Sequence, residues 1–141
     1  MALMYVLERF SVLPVADNSL GSLAEPLGSI TLLFVGVIIF PLFEELLFRG
    51  YLTFPRYFGG CRLKRGFGVV FYLSSAFFAA AHLCNFSSLN PFYSIPVVIA
   101  PQFILGTFTG YIRIVFGLHW SYLFHSMHNL VFLSAYMFFG E

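Results

Sequence analysis

Long apolar runs separated by short polar clusters divide this chain. The first run, Met1 to Leu13, is broken by Glu8, Arg9 and Ser11 and falls short of the roughly 20 residues a helix needs to cross a bilayer. It predicts a short N-terminal interfacial helix. Pro14 to Gly28 holds Asp17, Asn18 and Glu25 among prolines and glycines, and reads as an exposed connection. The second run starts near Ser29 and continues to about Leu52. Pro41 lies inside it, where its ring removes one backbone donor and crowds the carbonyl of Val37, so a kink just before Glu44 is expected. Three further runs follow, at about Phe67 to Leu83, Ser94 to Ile114 and Leu118 to Phe139. A neutral loop, Cys84 to Tyr93, and a short turn at Phe116-Gly117 separate them. The pattern predicts an all-α fold, a polytopic transmembrane helix bundle with about four spans plus the interfacial helix. It divides into an N-terminal segment and linker, 1–28, and a core, 29–141.

Composition narrows the class further. Hydrophobic residues make up 60% of the chain, aromatics 21% and charged residues only 9%. Soluble domains carry about 25% charged residues, so a multi-span membrane protein is the class that fits. The net charge of +1, with no basic-aromatic patch, gives no reason to expect a nucleic-acid partner. Charge is nonetheless unevenly placed. Arg49, Arg56, Arg62, Lys64 and Arg65 cluster around one loop, whereas Glu8, Asp17 and Glu25 face a single Arg9 before the first span. The positive-inside rule puts the 53–66 loop in the cytoplasm and the N-terminus outside. No basic region opens the chain, so a cleaved signal peptide is not expected. Cys61 and Cys84 have neither metal-type spacing nor a disulfide pattern. Gly106 and Gly110 form a small-residue face suited to close helix packing.

Against this apolar background the polar residues inside the runs stand out. Glu44, Glu45 and Arg49 close the second run, although an ionised group near a bilayer centre costs about 2.5–3.5 kcal/mol on insertion scales. Glu45 and Arg49 are one helical turn apart, acid first, which suits an ion pair. A structural pair at the interface explains those two about as well as chemistry does. Glu44 points about 100° away around the helix and finds no partner within the motif. His82 follows Phe78 by one turn on the next run. On the last run His125 and Asn129 share a face, with Ser121 a turn earlier and His128 beside them. Counted at about 1.5 Å per residue, Glu44, His125 and Asn129 fall at compatible depths, with His82 the worst fit. An intramembrane cavity gathering Glu44, His82, His125 and Asn129 is therefore expected. A lone intramembrane histidine can also be a packing residue, and His128 reads as a neighbour of the site.

Taken together, Glu44-Glu45-x-x-x-Arg49, Phe78-x-x-x-His82 and His125-x-x-x-Asn129, in that order and on separate runs, resemble the CAAX-protease and bacteriocin-processing family of glutamate-dependent intramembrane proteases. The block from Leu105-Gly106 through Tyr111, Arg113 and Trp120 to His125 is similar to that family as well. The resemblance covers roughly Ser29 to Phe132. It implies a metal-independent endopeptidase without cofactors, in which Glu44 and His82 activate a water while His125 and Asn129 stabilise the oxyanion. Glu45, Arg49 and Phe78 would support them. The implied substrate is a membrane-associated protein or peptide, cut near a C-terminal tail, sorting signal or leader. Family members are usually longer, so a second copy, partner helices or the substrate helix itself would complete the wall of the cavity. The short chain resembles the bacterial members, which implies a multi-pass protein of a bacterial cytoplasmic membrane.

Two other readings use the same residues. A metalloprotease would take Glu44, His82, His125 and His128 as ligands, but no His-Glu-x-x-His helix is present. A non-catalytic membrane module, such as an immunity or scaffold protein, would bind a peptide in the same cavity without cutting it.

Overall fold

The computed structural model describes residues 28–53, 63–85 and 94–139. The expected N-terminal interfacial helix, most of the basic loop and Cys61 lie outside the described residues. Those that are described are almost wholly helical, in agreement with an all-α bundle. Helix α1 (Ser29–Phe34) runs into a π turn (Val35–Ile39) and on into α2 (Phe40–Arg49), which ends in a 3₁₀ turn (Gly50–Thr53). Helix α3 (Leu63–Ala81) ends in a second 3₁₀ turn (His82–Asn85). Helices α4 (Ser94–Val115) and α5 (Leu118–Phe139) complete the described residues.

Three of these segments are long and apolar enough to cross a membrane: Ile30–Leu52, Gly66–Cys84 and Ile95–Val115. The sequence pattern had suggested about four. The difference lies in α5, whose 22 residues are long enough. Its three histidines, three serines and one asparagine lower its hydropathy. Several of these residues, Ser121, His125 and Ser126 among them, are buried against the other helices. Polar side chains that face a bundle interior are compatible with a membrane helix. The outer surface is correspondingly apolar: Phe43, Leu47, Phe77, Phe108, Trp120 and Val131 are all exposed, as bilayer-facing side chains should be.

The region before Glu44 differs from a simple proline kink. The N–H of Phe40 reaches back five residues to the carbonyl of Val35, so the helix widens into a π turn just ahead of Pro41. In that register the donor that Pro41 lacks would have served Gly36. The Asn129 side chain takes its place, its Nδ2 donating to the Gly36 carbonyl at 2.9 Å. The Tyr122 hydroxyl similarly reaches the carbonyl of Ile38 at 3.4 Å. In lipid no water is at hand for freed backbone carbonyls, and side chains of a neighbouring helix replace it.

Helices α3 and α4 make the most extensive pairing in the bundle. Gly106 permits it. A Cβ at that position would stand 3.1 Å from Phe78 Cδ1 and 3.3 Å from the Ser75 Cα. Because one of those neighbours is backbone, Gly106→Ala must push the helices apart. It is expected to lower stability by about 1–3 kcal/mol, read as a fall in the melting temperature of the purified protein. At the far end of α4 the chain reverses through Gly117, whose φ of 100° is open to glycine at little cost. Its N–H bonds the carbonyls of Ile112 and Arg113, closing α4 as a glycine C-cap does. Helix α5 then packs back against α4, α2 and the π turn.

Candidate active site

The buried end of α2 meets α5 around Glu45. This carboxylate is completely buried, as is nearly all of Arg49. Oε1 of Glu45 accepts from Arg49 Nη1 and, at 3.0 Å, from His125 Nδ1. Its Oε2 accepts from the Ser121 hydroxyl, which also lies 3.0 Å from the Thr109 carbonyl. Both carboxylate oxygens therefore have partners, which a buried charge requires. The ion pair expected from the sequence is present, and it ties α2 to α5 as well as closing a turn of α2.

Beneath this cluster lies Phe78, itself fully buried. The Arg49 guanidinium sits 4.2 Å from its ring centroid, a cation–π contact away from water. The edges of Phe48, His82 and His125 meet the same ring, at centroid distances of 5.6, 4.7 and 5.5 Å. One aromatic side chain thus holds the two histidine-bearing elements, the 3₁₀ turn after α3 and helix α5, against the end of α2. Two more side chains fix that end from outside. Ser74 donates to the Phe48 carbonyl, and Arg113 donates to the carbonyls of Arg49 and Gly50 at 3.3 and 3.5 Å. A cation at a helix C-terminus is favoured by the helix dipole as well as by these bonds.

Glu44 is placed differently from its neighbour. Its side chain keeps 27% of its surface, and its Oε2 lies 3.3 Å from His125 Nε2. Neither of these two buried atoms has a hydrogen-bond partner. His125 is thus held between the two carboxylates. Glu45 fixes its Nδ1, and its Nε2 is left facing Glu44. An incoming group would find a carboxylate oxygen of Glu44 and the unpartnered Nε2 of His125 within one small volume.

His82 is half-buried at the start of the 3₁₀ turn that ends α3. Its Nδ1 lies 2.8 Å from the Phe78 carbonyl. A carbonyl only accepts, so Nδ1 carries the proton and a neutral ring keeps a lone pair on Nε2. Glu44 and His125 are both within electrostatic reach of this ring. The structure brings Glu44, Glu45, Arg49, Phe78, His82 and His125 together. Asn129, a turn along α5 from His125, has its amide nitrogen on Gly36 instead. His128 packs edge-on against Phe132 at 4.3 Å, away from the carboxylates' hydrogen bonds.

Sequence reasoning had noted Ser121 only as an extension of the His125 face, and did not assign work to Ser74, Thr109 or Tyr122. The signal available for Tyr122 was its spacing with Ser126 and Asn129, which puts all three on one side of α5. Among the described residues no group of three His, Cys, Asp or Glu side chains could hold a metal ion.

The bundle of apolar helices thus buries a carboxylate–arginine pair and leaves a second carboxylate 3.3 Å from a histidine, polar chemistry that a membrane helix bundle carries at functional sites. The chain belongs to the Rce1-like family of type II CAAX prenyl endopeptidases, whose family model matches residues 26–131. Neither a curated protein nor a solved structure matches it. Membership makes this a multi-pass membrane protein of a protease family.

Proposed function

We propose that the protein is a glutamate-type intramembrane endopeptidase that hydrolyses a peptide bond in a membrane-associated protein or peptide. The observation that carries this reading is the asymmetry of the two adjacent carboxylates. Glu45 has every oxygen occupied, whereas Glu44 keeps a buried oxygen 3.3 Å from His125 and otherwise unpartnered. Glu44, with the Nε2 lone pair of His82, draws a proton from a water molecule as its oxygen attacks the peptide carbonyl carbon. The resulting oxyanion is met by His125, whose Nδ1 contact with Glu45 fixes its ring. Collapse breaks the C–N bond, and the proton held by Glu44 passes to the leaving amine. General base catalysis contributes about 10²–10⁴ in rate, and an oxyanion donor about 10²–10³. No step needs a metal. Asn129 enters this scheme through the backbone it holds.

The substrate has an apolar part in this reading. Leu47 on α2 and Tyr51 in the 3₁₀ turn that follows it stand three and seven residues after Glu44, one and two turns on. With Phe48, Phe77 and Ala80 they line an open, mainly apolar groove of about 480 Å³. A prenyl chain, named in the family's description, is the apolar group such a groove suits. The basic 53–66 segment faces the cytoplasm, where C-terminal tails are found, and the membrane is a bacterial cytoplasmic one.

The test uses the purified full chain in proteoliposomes with an internally quenched peptide ending in a farnesylated Cys-aliphatic-aliphatic-X tail. Cleavage that persists in excess EDTA is the expected result. Activity lost to EDTA and restored by zinc would replace this mechanism with a metal-dependent one. No cleavage of either the prenylated peptide or its unprenylated twin, with tight binding retained, would favour a non-catalytic peptide-binding module.

A further inference from the structure

The π turn ahead of Glu44 is held by side chains from a different helix, and this gives Asn129 a role beyond its expected one. Resting on the endopeptidase reading, we infer that Asn129 is a positioning residue: it acts through the Gly36 carbonyl to fix the register of the π turn and so the direction of Glu44.

Four observations support this. First, Pro41 has no N–H, and the five-residue reach seen between Phe40 and Val35 leaves Gly36 as the carbonyl without a backbone donor. Second, Asn129 Nδ2 donates to that same carbonyl at 2.9 Å, across 93 residues of sequence. Third, the two helices are pressed together at this point. A Cβ on Gly36 would come within 2.6 Å of Leu133 Cδ1, the residue one turn beyond Asn129. Fourth, the contact belongs to a stripe on α5. Tyr122 bonds the Ile38 carbonyl, and Ser126 lies between Tyr122 and Asn129 with a buried hydroxyl that has no partner. Tyr122 and Asn129 thus both reach the widened turn.

A π turn absorbs one extra residue. Its full relaxation to α-helix would turn the residues beyond it by about 100°, the angle per residue of an α-helix. The bonds that tie Glu45 to α5 and the Arg49 carbonyl to α4 confine it to a smaller shift. Such a shift takes Glu44 away from His125 Nε2. An amide bonded to Gly36 opposes it, because the relaxed helix no longer presents that carbonyl in the same place. An asparagine that served the oxyanion would act on the reaction directly and leave the turn unchanged.

The two roles separate experimentally. The Gly–Val peptide bonds of the chain are 36–37 and 68–69. Protein labelled with carbonyl-¹³C glycine and ¹⁵N valine therefore gives two pair-selective solid-state NMR signals in bilayers. Asn129→Ala should shift one of them and leave the other in place. It should also change the His125 ring ¹⁵N signal, as Glu44 moves off Nε2. On the quenched farnesylated peptide kcat should fall about a hundredfold, as for a catalytic group displaced by an ångström or so. KM should stay within about twofold, since substrate binding is not the step affected. The inference is overturned if both Gly–Val signals and the His125 signal stay put in Asn129→Ala. A wild-type protein that cleaves nothing defeats the endopeptidase reading, and the NMR signals then still decide what Asn129 does.

Discussion

Glu45→Ala is expected to destabilise the protein by about 3–5 kcal/mol, the cost of removing one partner from a buried ion pair. The magnitude follows from what the substitution leaves behind. Arg49 is only 1% exposed and lies on the Phe78 ring, so its guanidinium has no route to water. Without Glu45 it becomes a buried charge whose Nη2 is already unpartnered. Ser121 and the Nδ1 of His125 lose their acceptor at the same time. The loss reaches α5 because two of the three partners of this carboxylate, Ser121 and His125, come from that helix. A melting curve in mild detergent should show the drop. Activity should vanish with it, since His125 is no longer held.

Glu44→Gln should do the opposite. Its carboxylate has no hydrogen bond and keeps 27% of its surface, so an isosteric amide can occupy the same place. The melting temperature should change little. Catalysis should not survive, because an amide cannot take a proton from water at neutral pH; a fall in kcat of about 10²–10⁴ is expected from loss of the general base. Two adjacent residues of the same type thus separate into a group that holds the bundle and a group that does the chemistry.

Much of this was legible from residue spacing. The four-residue interval of Glu45 and Arg49 puts them on one helix face, and they pair there. The interval from Phe78 to His82 is likewise realised, as a ring contact and a bond from His82 to the Phe78 carbonyl. The turn at Phe116-Gly117 follows from a glycine free to take positive φ between two apolar runs. What spacing could not give is any contact whose partner lies in a different helix. Glu44 looked unpartnered because its motif is local, and the ring that faces it arrives from α5. Pro41 promised a kink with the carbonyl of Val37 at stake. The carbonyl in question became that of Gly36 once the helix widened, and its donor, like that of Ile38, comes from α5, as Asn129 and Tyr122. Helix α5 fell short of the hydropathy of a span for a related reason. The polar residues that lower its average are the ones it turns inward, and an average does not record direction.

The measurement that bears most directly on the division of labour between the two carboxylates is mass mapping of the cleavage products from the farnesylated peptide. Wild-type and Glu44→Gln protein would be reconstituted at equal amounts with matched melting temperatures. A single cut near the prenylated cysteine, produced by wild type and reduced by at least about a hundredfold in Glu44→Gln, is the expected result. The same cut made by Glu44→Gln at the wild-type rate would show that Glu44 is not the base.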